Sequence, residues 1–308
     1  MIINHNFAQS NRIFNLNSKL INWLIFISLS VIWGSSFILM KEGLVALSAF
    51  QVASIRIISS GLVLFPVAIS SIRKIPSNKI FVIFMSGVLG SLFPAYLFCI
   101  AEQGIDSSLA GTLNSLTPIF VIIIGAVFFQ TKTAAHKVIG ILIAFSGSVF
   151  LFFSQPGFSH NSNLAYVLLV VLATMMYGLN VNMVHRYLQH VSSFQIAALA
   201  LSTNAIPALV VLYLTGYFGM DLTSRPILFS TGYSVILGIM GTALASVIFY
   251  ILIKRAGAVF SSMVTYGIPF VAILWGIIYG EQIGWKQVLG LLVILTGVYV
   301  ANRKMAKA

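Results

Sequence analysis

The chain has 308 residues, of which 59% are apolar and only 7% charged, and its net charge is +12. A soluble globule carries about 25% charged residues, so these few charges cannot cover a surface of this size, and the composition implies a bilayer as solvent. The basic excess does not point to nucleic acid, because the cations sit at the ends of apolar runs and form no basic stripe.

A helix needs roughly 20 apolar residues to cross about 30 Å of hydrocarbon. Runs of that kind predict ten spans in chain order, at 20–40, 48–70, 80–101, 107–129, 138–155, 164–184, 193–214, 230–253, 257–279 and 287–302. The first is too long for a secretory signal and lacks a cleavage site, so it reads as a retained span. The Asn-rich tract 1–19 ahead of it is expected to be a disordered cytoplasmic tail. Loops on the side that holds both termini carry thirteen Lys and Arg residues; the opposite side carries three, Lys41, Arg225 and Lys286. That asymmetry predicts cytoplasmic termini in a multi-pass protein of the cell (inner) membrane.

The two halves repeat each other. Ser48-Ala49-Phe50-Gln51 matches Ser192-Ser193-Phe194-Gln195 at a shift of 144, as Trp33-Gly34 matches Tyr177-Gly178. Beyond a longer loop the shift is 151, pairing Gly87 and Gly90 with Gly238 and Gly241, and Pro118 with Pro269. At 150, Gly140 and Gly147 pair with Gly290 and Gly297. Units of five spans, 20–155 and 164–302, must lie upside down relative to each other. The expected fold is all-α integral membrane, ten transmembrane helices as two inverted five-helix repeats. Such repeats are a recurring transporter architecture, with a midplane site and alternating access.

Trp33-Gly34-Ser35-Ser36-Phe37 with Lys41, the intramembrane Arg56, the two proline-bearing spans and Gly280-Glu281 before Trp285 and Gly290 resemble an EamA-type protein of the drug/metabolite transporter superfamily. The resemblance covers 20–302. One departure is Gln130, which stands where the first copy would match Glu281. The resemblance implies secondary active efflux of small metabolites, amino acids or drug-like compounds.

Arg56 lies about eight residues into its span, too deep to face lipid cheaply. Its planar fork suits a substrate carboxylate or phosphate; a structural clamp on neighbouring carbonyls is the alternative. Pro118 and Pro269 break their helices and free the carbonyls of Asn114 and Thr265. Matched breaks in two halves point to a substrate site, and helical spacing puts Gly111, Asn114, Ser115 and Pro118 on one face of the first broken helix and Ser262, Thr265, Tyr266 and Pro269 on one face of the second. A small-residue packing face is the competing explanation. Trp33, Ser36 and Phe37, with Tyr177, Asn180 and Asn182, offer aromatic walls and amides for an amphipathic solute, or plain packing.

Lys41, Glu102, Asp106 and Glu281 lie at outer span ends, where charges are ordinarily solvated; proton coupling through one of them is the open mechanistic option. Cys99 is single and His185 and His190 have no acid nearby, so neither metal nor cofactor is expected. The expected partners are a small-molecule substrate and the lipid bilayer. A channel or passive facilitator is the main alternative. An enzyme is disfavoured, because HExxH and GxSxG motifs are absent and the spans hold too few groups for acid–base chemistry.

Overall fold

Backbone in hydrocarbon must satisfy its own N–H and C=O groups, and an apolar chain does so as helix. The computed structural model describes residues 3–105, 107–154, 164–278 and 284–303, and these are helical almost throughout. The helices are α1 (Ile3–Gly43), α2 (Ala49–Ser71), α3 (Ser77–Gly87), α4 (Phe93–Ala101), α5 (Ser107–Asn114), α6 (Thr117–Phe129) and α7 (Ala135–Phe153). The second half adds α8 (Leu164–Tyr187), α9 (Ser193–Leu214), α10 (Arg225–Ile236), α11 (Ala245–Ser262), α12 (Ile268–Ile278) and α13 (Trp285–Asn302). Among the described residues eight helical stretches are long and apolar enough to cross a membrane, and Ala135–Leu151 is a shorter apolar helix.

One of the eight, Arg225–Trp275, runs for 51 residues. At 1.5 Å per residue that is roughly 75 Å, far more than one crossing needs. Gly257 divides it with φ 84° and ψ 168°, a backbone that a residue with a Cβ adopts only under strain. Helix α1 begins at Ile3, so the tract expected to be disordered is helical. It contains neither Pro nor Gly and extends an existing helix, which removes the cost of a new nucleus.

Departures from α-helix recur at matched places. A π segment, Val88–Leu92, joins α3 to α4, and another, Leu237–Leu244, joins α10 to α11. Before Pro118 the helix stops at Asn114 and restarts at Thr117; before Pro269 the segment Met263–Gly267 is a 3-10 turn. The prolines therefore sit in the first turn of new helices, where a missing N–H costs little. The carbonyls they free find donors within the chain: Asn114 O accepts from Thr117 Oγ1 at 2.8 Å, and Thr265 O accepts from the Ile268 amide.

Packing follows the same exchange of halves. Helices α2 and α9 pack along each other, as do α7 and α13. Helix α8 rests on α4 and α6, while α1 rests on α11 and α12. Glycines mark the closest approaches. A Cβ on Gly34 would stand 2.6 Å from the Val271 Cβ, and one on Gly178 would stand 3.0 Å from the Phe120 Cβ. One on Gly87 would meet Ala200 O at 2.8 Å, and one on Gly238 would come closer still to Arg56 O.

Candidate substrate cavity

The helix breaks and π segments converge on one cavity, with about 880 Å³ of empty volume including its open part. Helix α1 contributes Trp33, Ser36, Phe37 and Met40, and α2 contributes Arg56. Helix α8 supplies Tyr177, Asn180 and Val181; the breaks supply Asn114 and Thr117 on one side, Ser262, Thr265 and Ile268 on the other. The π segments add Gly90 and Ser91, and Gly241 and Thr242.

Most of this lining comes in pairs that the repeat shifts relate: Trp33 with Tyr177, Ser36 with Asn180, Phe98 with Phe249, Asn114 with Thr265, Ser91 with Thr242. The charge is not paired. Arg56 and Ala200 occupy equivalent places at a shift of 144, each carbonyl lying against a matched glycine. The repeat thus places a guanidinium at one of two equivalent positions, on the cavity wall, and a methyl group at the other, against Gly87 and away from the lining.

The Arg56 Nε donates to Thr242 Oγ1 at 2.7 Å. No acceptor among the described residues takes its terminal nitrogens, and none of its nitrogens is sealed off without a partner. A fork held by its stem with its outer face free has the chemistry to accept a planar anion. Thr242 is itself placed by the π segment, whose widened turn leaves Gly241 O free to accept from the Trp33 indole N–H at 3.1 Å. Aromatic walls stand on both sides. Trp33 meets Phe249 edge to face at 5.0 Å, and Phe98 lies between Phe37 at 6.2 Å and Tyr177, stacked at 6.1 Å. Asn180 lines the space, and its Oδ1 has no donor among the described residues.

Seven of the nine residues expected at a site therefore line this cavity: Trp33, Ser36, Arg56, Asn114, Tyr177, Asn180 and Thr265. Ser115 and Tyr266 do not. Both are fully buried elsewhere, the Ser115 hydroxyl donating to Thr112 O and the Tyr266 hydroxyl to Ile141 O at 2.9 Å. Asn182 is also turned away, its amide donating to Val121 O and Gly178 O, each at 2.9 Å. Glu281 and Asp106 lie outside the described residues. The sequence reading missed Ser91 and Thr242, although each directly follows one of the paired glycines, Gly90 and Gly241. No group of three or more His, Cys, Asp or Glu capable of holding a metal occurs among the described residues.

The fold and cavity are those of a multi-pass membrane transporter. The EamA-like transporter family model matches residues 21–153 and again 164–303, and the chain belongs to that family. It is 28% identical over 286 residues to a protein of Archaeoglobus fulgidus named an uncharacterized transporter, covering 92% of this chain and 99% of that one. It is 24% identical to the uncharacterized transporter YdfC of Bacillus subtilis, covering 95% of each chain. YoaV of the same organism, also named an uncharacterized transporter, is 23% identical, covering 89% of this chain and 94% of that one. A solved crystal structure aligns with a TM-score of 0.69 at 17% identity, covering 91% of this chain and 95% of its own, a likeness of fold.

Proposed function

We propose that this chain is a secondary carrier that exports small organic solutes bearing a carboxylate or phosphate. The solute would bind between the two halves and be released by alternating access. The observation that carries this reading is Arg56, whose free terminal nitrogens stand in an aromatic-walled cavity beside Thr242. Ten crossings are supported by the break at Gly257, which splits the 51-residue run, together with the short helix Ala135–Leu151. Two inverted units, 20–155 and 164–302, are supported by the matched π segments, matched helix breaks and reciprocal packing of the halves. Cytoplasmic termini and an inner-membrane location rest on the thirteen-to-three count of basic residues. Export is the direction that the resemblance of the sequence implies, and coupling to the proton gradient is part of the reading.

Counterflow in proteoliposomes tests it. Vesicles loaded with unlabelled aromatic or aliphatic carboxylates should accumulate the labelled compound transiently and saturably, and their neutral amides should not compete. Linear, unsaturable flux of acids and amides alike would instead describe a pore.

Asn114 and Thr265 are proposed as polar contacts of the solute. Alanine at either position should raise KM by about 2–10-fold, the worth of one neutral hydrogen bond. Ser146 and Thr296 make suitable controls, since both are exposed and bonded to carbonyls of their own helices. Equal effects at all four positions would mean that Asn114 and Thr265 serve packing.

A further inference from the structure

Glu102 caps the end of α4, one residue past the apolar stretch Ser77–Ala101. A carboxylate at such a position is ordinarily solvated, yet both of its oxygens are buried. Neither has a hydrogen bond of good geometry among the described residues, although the Ser107 hydroxyl lies near enough to favour the charged form. Two cations act on it from other helices, Lys41 from the end of α1 and Arg56 from α2. Helix α8 faces this end of α4 with uncharged groups, Tyr166 against Gly104 and Tyr177 on Phe98, and Cys99 is the titratable neighbour on α4 itself. Phe98, one turn before Glu102, lines the cavity, as does Met40 next to Lys41. The carboxylate thus sits behind the cavity wall and shares Arg56 with the cavity.

We propose that Glu102 is a proton-binding site linked to an anion site at Arg56, so that an anionic solute and a proton occupy the carrier together. The linkage rests on the reading of Arg56 as the anion contact. Burial pushes the Glu102 carboxyl up to about 8, outweighing the opposing pull of Ser107, Lys41 and Arg56. An anion on the Arg56 guanidinium cancels part of that pull and strengthens proton binding. By reciprocity, a proton on Glu102 tightens the anion site by the same factor. The solute then crosses with a proton, so its export runs down its own outward concentration gradient and carries a proton out with it, and efflux slows as the outer face is acidified.

The sign of the linkage fixes the pH window. A carboxyl raised above its ordinary value stabilises the folded protein most at low pH, and that stability is lost as pH rises through about 8. Wild-type protein should therefore melt at progressively lower temperature as pH rises from the ordinary carboxylate range to about 8, with no further loss from this group above that, and Glu102→Gln should flatten that part of the profile.

Infrared titration of the purified full-length protein tests the linkage, with benzoate as probe and benzamide as its neutral control. The chain has only five Asp and Glu residues, so the protonated-carboxyl band lost in Glu102→Gln identifies the site. That band should titrate near pH 8 in the empty protein. Benzoate should raise the midpoint by about one unit, the effect of one nearby charge, and thus bind about tenfold tighter below it; benzamide should not move it. Arg56→Gln should raise the midpoint without ligand and abolish the benzoate response. A midpoint in the ordinary carboxylate range overturns the proton site, and one near 8 that is indifferent to Arg56→Gln overturns its linkage to Arg56. A midpoint that moves with Arg56→Gln but never with benzoate leaves the proton on Glu102 and overturns both the anion reading and the linkage.

Discussion

Arg56→Ala should abolish saturable transport of carboxylates, with binding weakened at least about tenfold, while the purified protein melts at an unchanged or higher temperature. A hydrogen bond to a charged group contributes about 1.5–3 kcal/mol net, and a bidentate contact comprises two of them. The structural cost is small by comparison. Arg56 holds one described protein partner, Thr242, and the threonine hydroxyl has a second, longer bond of its own to Leu237 O at 3.4 Å. Truncation therefore orphans little, and it removes a charge that is expensive inside a membrane protein. Were the guanidinium instead a clamp on the fold, melting temperature and expression would fall together with transport. Arg56→Lys separates geometry from charge. It keeps one positive centre, loses the fork, and should raise KM with little change in kcat.

Apolar run length and the glycine and proline pattern made most of this architecture legible, because lipid leaves the backbone so few choices. Hidden from the sequence was the local helix type at the site. α-Helical spacing places Ser115 and Tyr266 on the cavity face, but the chain is not α-helical where they lie. Tyr266 belongs to a 3-10 turn, in which residues three apart eclipse. Ser262 and Thr265 accordingly share the cavity face, and Tyr266 rotates away toward Ile141. The π segments act in the opposite sense, bringing Ser91 and Thr242 onto a face that α-helical counting does not select. Glu102 defeated the reading for another reason. Its burial comes from helices distant in sequence, and position at a span end carries no trace of that.

Two alanine substitutions at helical glycines should move stability in opposite directions. Gly111→Ala should raise the melting temperature, because its new methyl group would meet Ile268 at 3.8 Å and Phe37 at 3.9 Å, ordinary contacts. Alanine is favoured over glycine inside a helix by about 0.5–1 kcal/mol. Gly140→Ala should leave little folded protein. Its methyl group would lie 2.6 Å from Gly297 O and nearer still to the Ala301 amide, and a methyl group on Gly297 would in turn lie 2.5 Å from Gly140 O. These obstacles are backbone, so no side chain can swing aside, and α7 must separate from α13 along a seam that small residues keep tight. Overpacking of this kind costs about 1–3 kcal/mol or more. The damage reaches the cavity by a specific route. Withdrawing α7 takes Ile141 O from the Tyr266 hydroxyl, which has no exposure to water. An orphaned buried hydroxyl adds about 1–3 kcal/mol and loosens the 3-10 turn that presents Thr265 to the cavity. Thermal melts of both variants in detergent measure the difference, and equal stability would show that the α7–α13 seam is not the close contact described here.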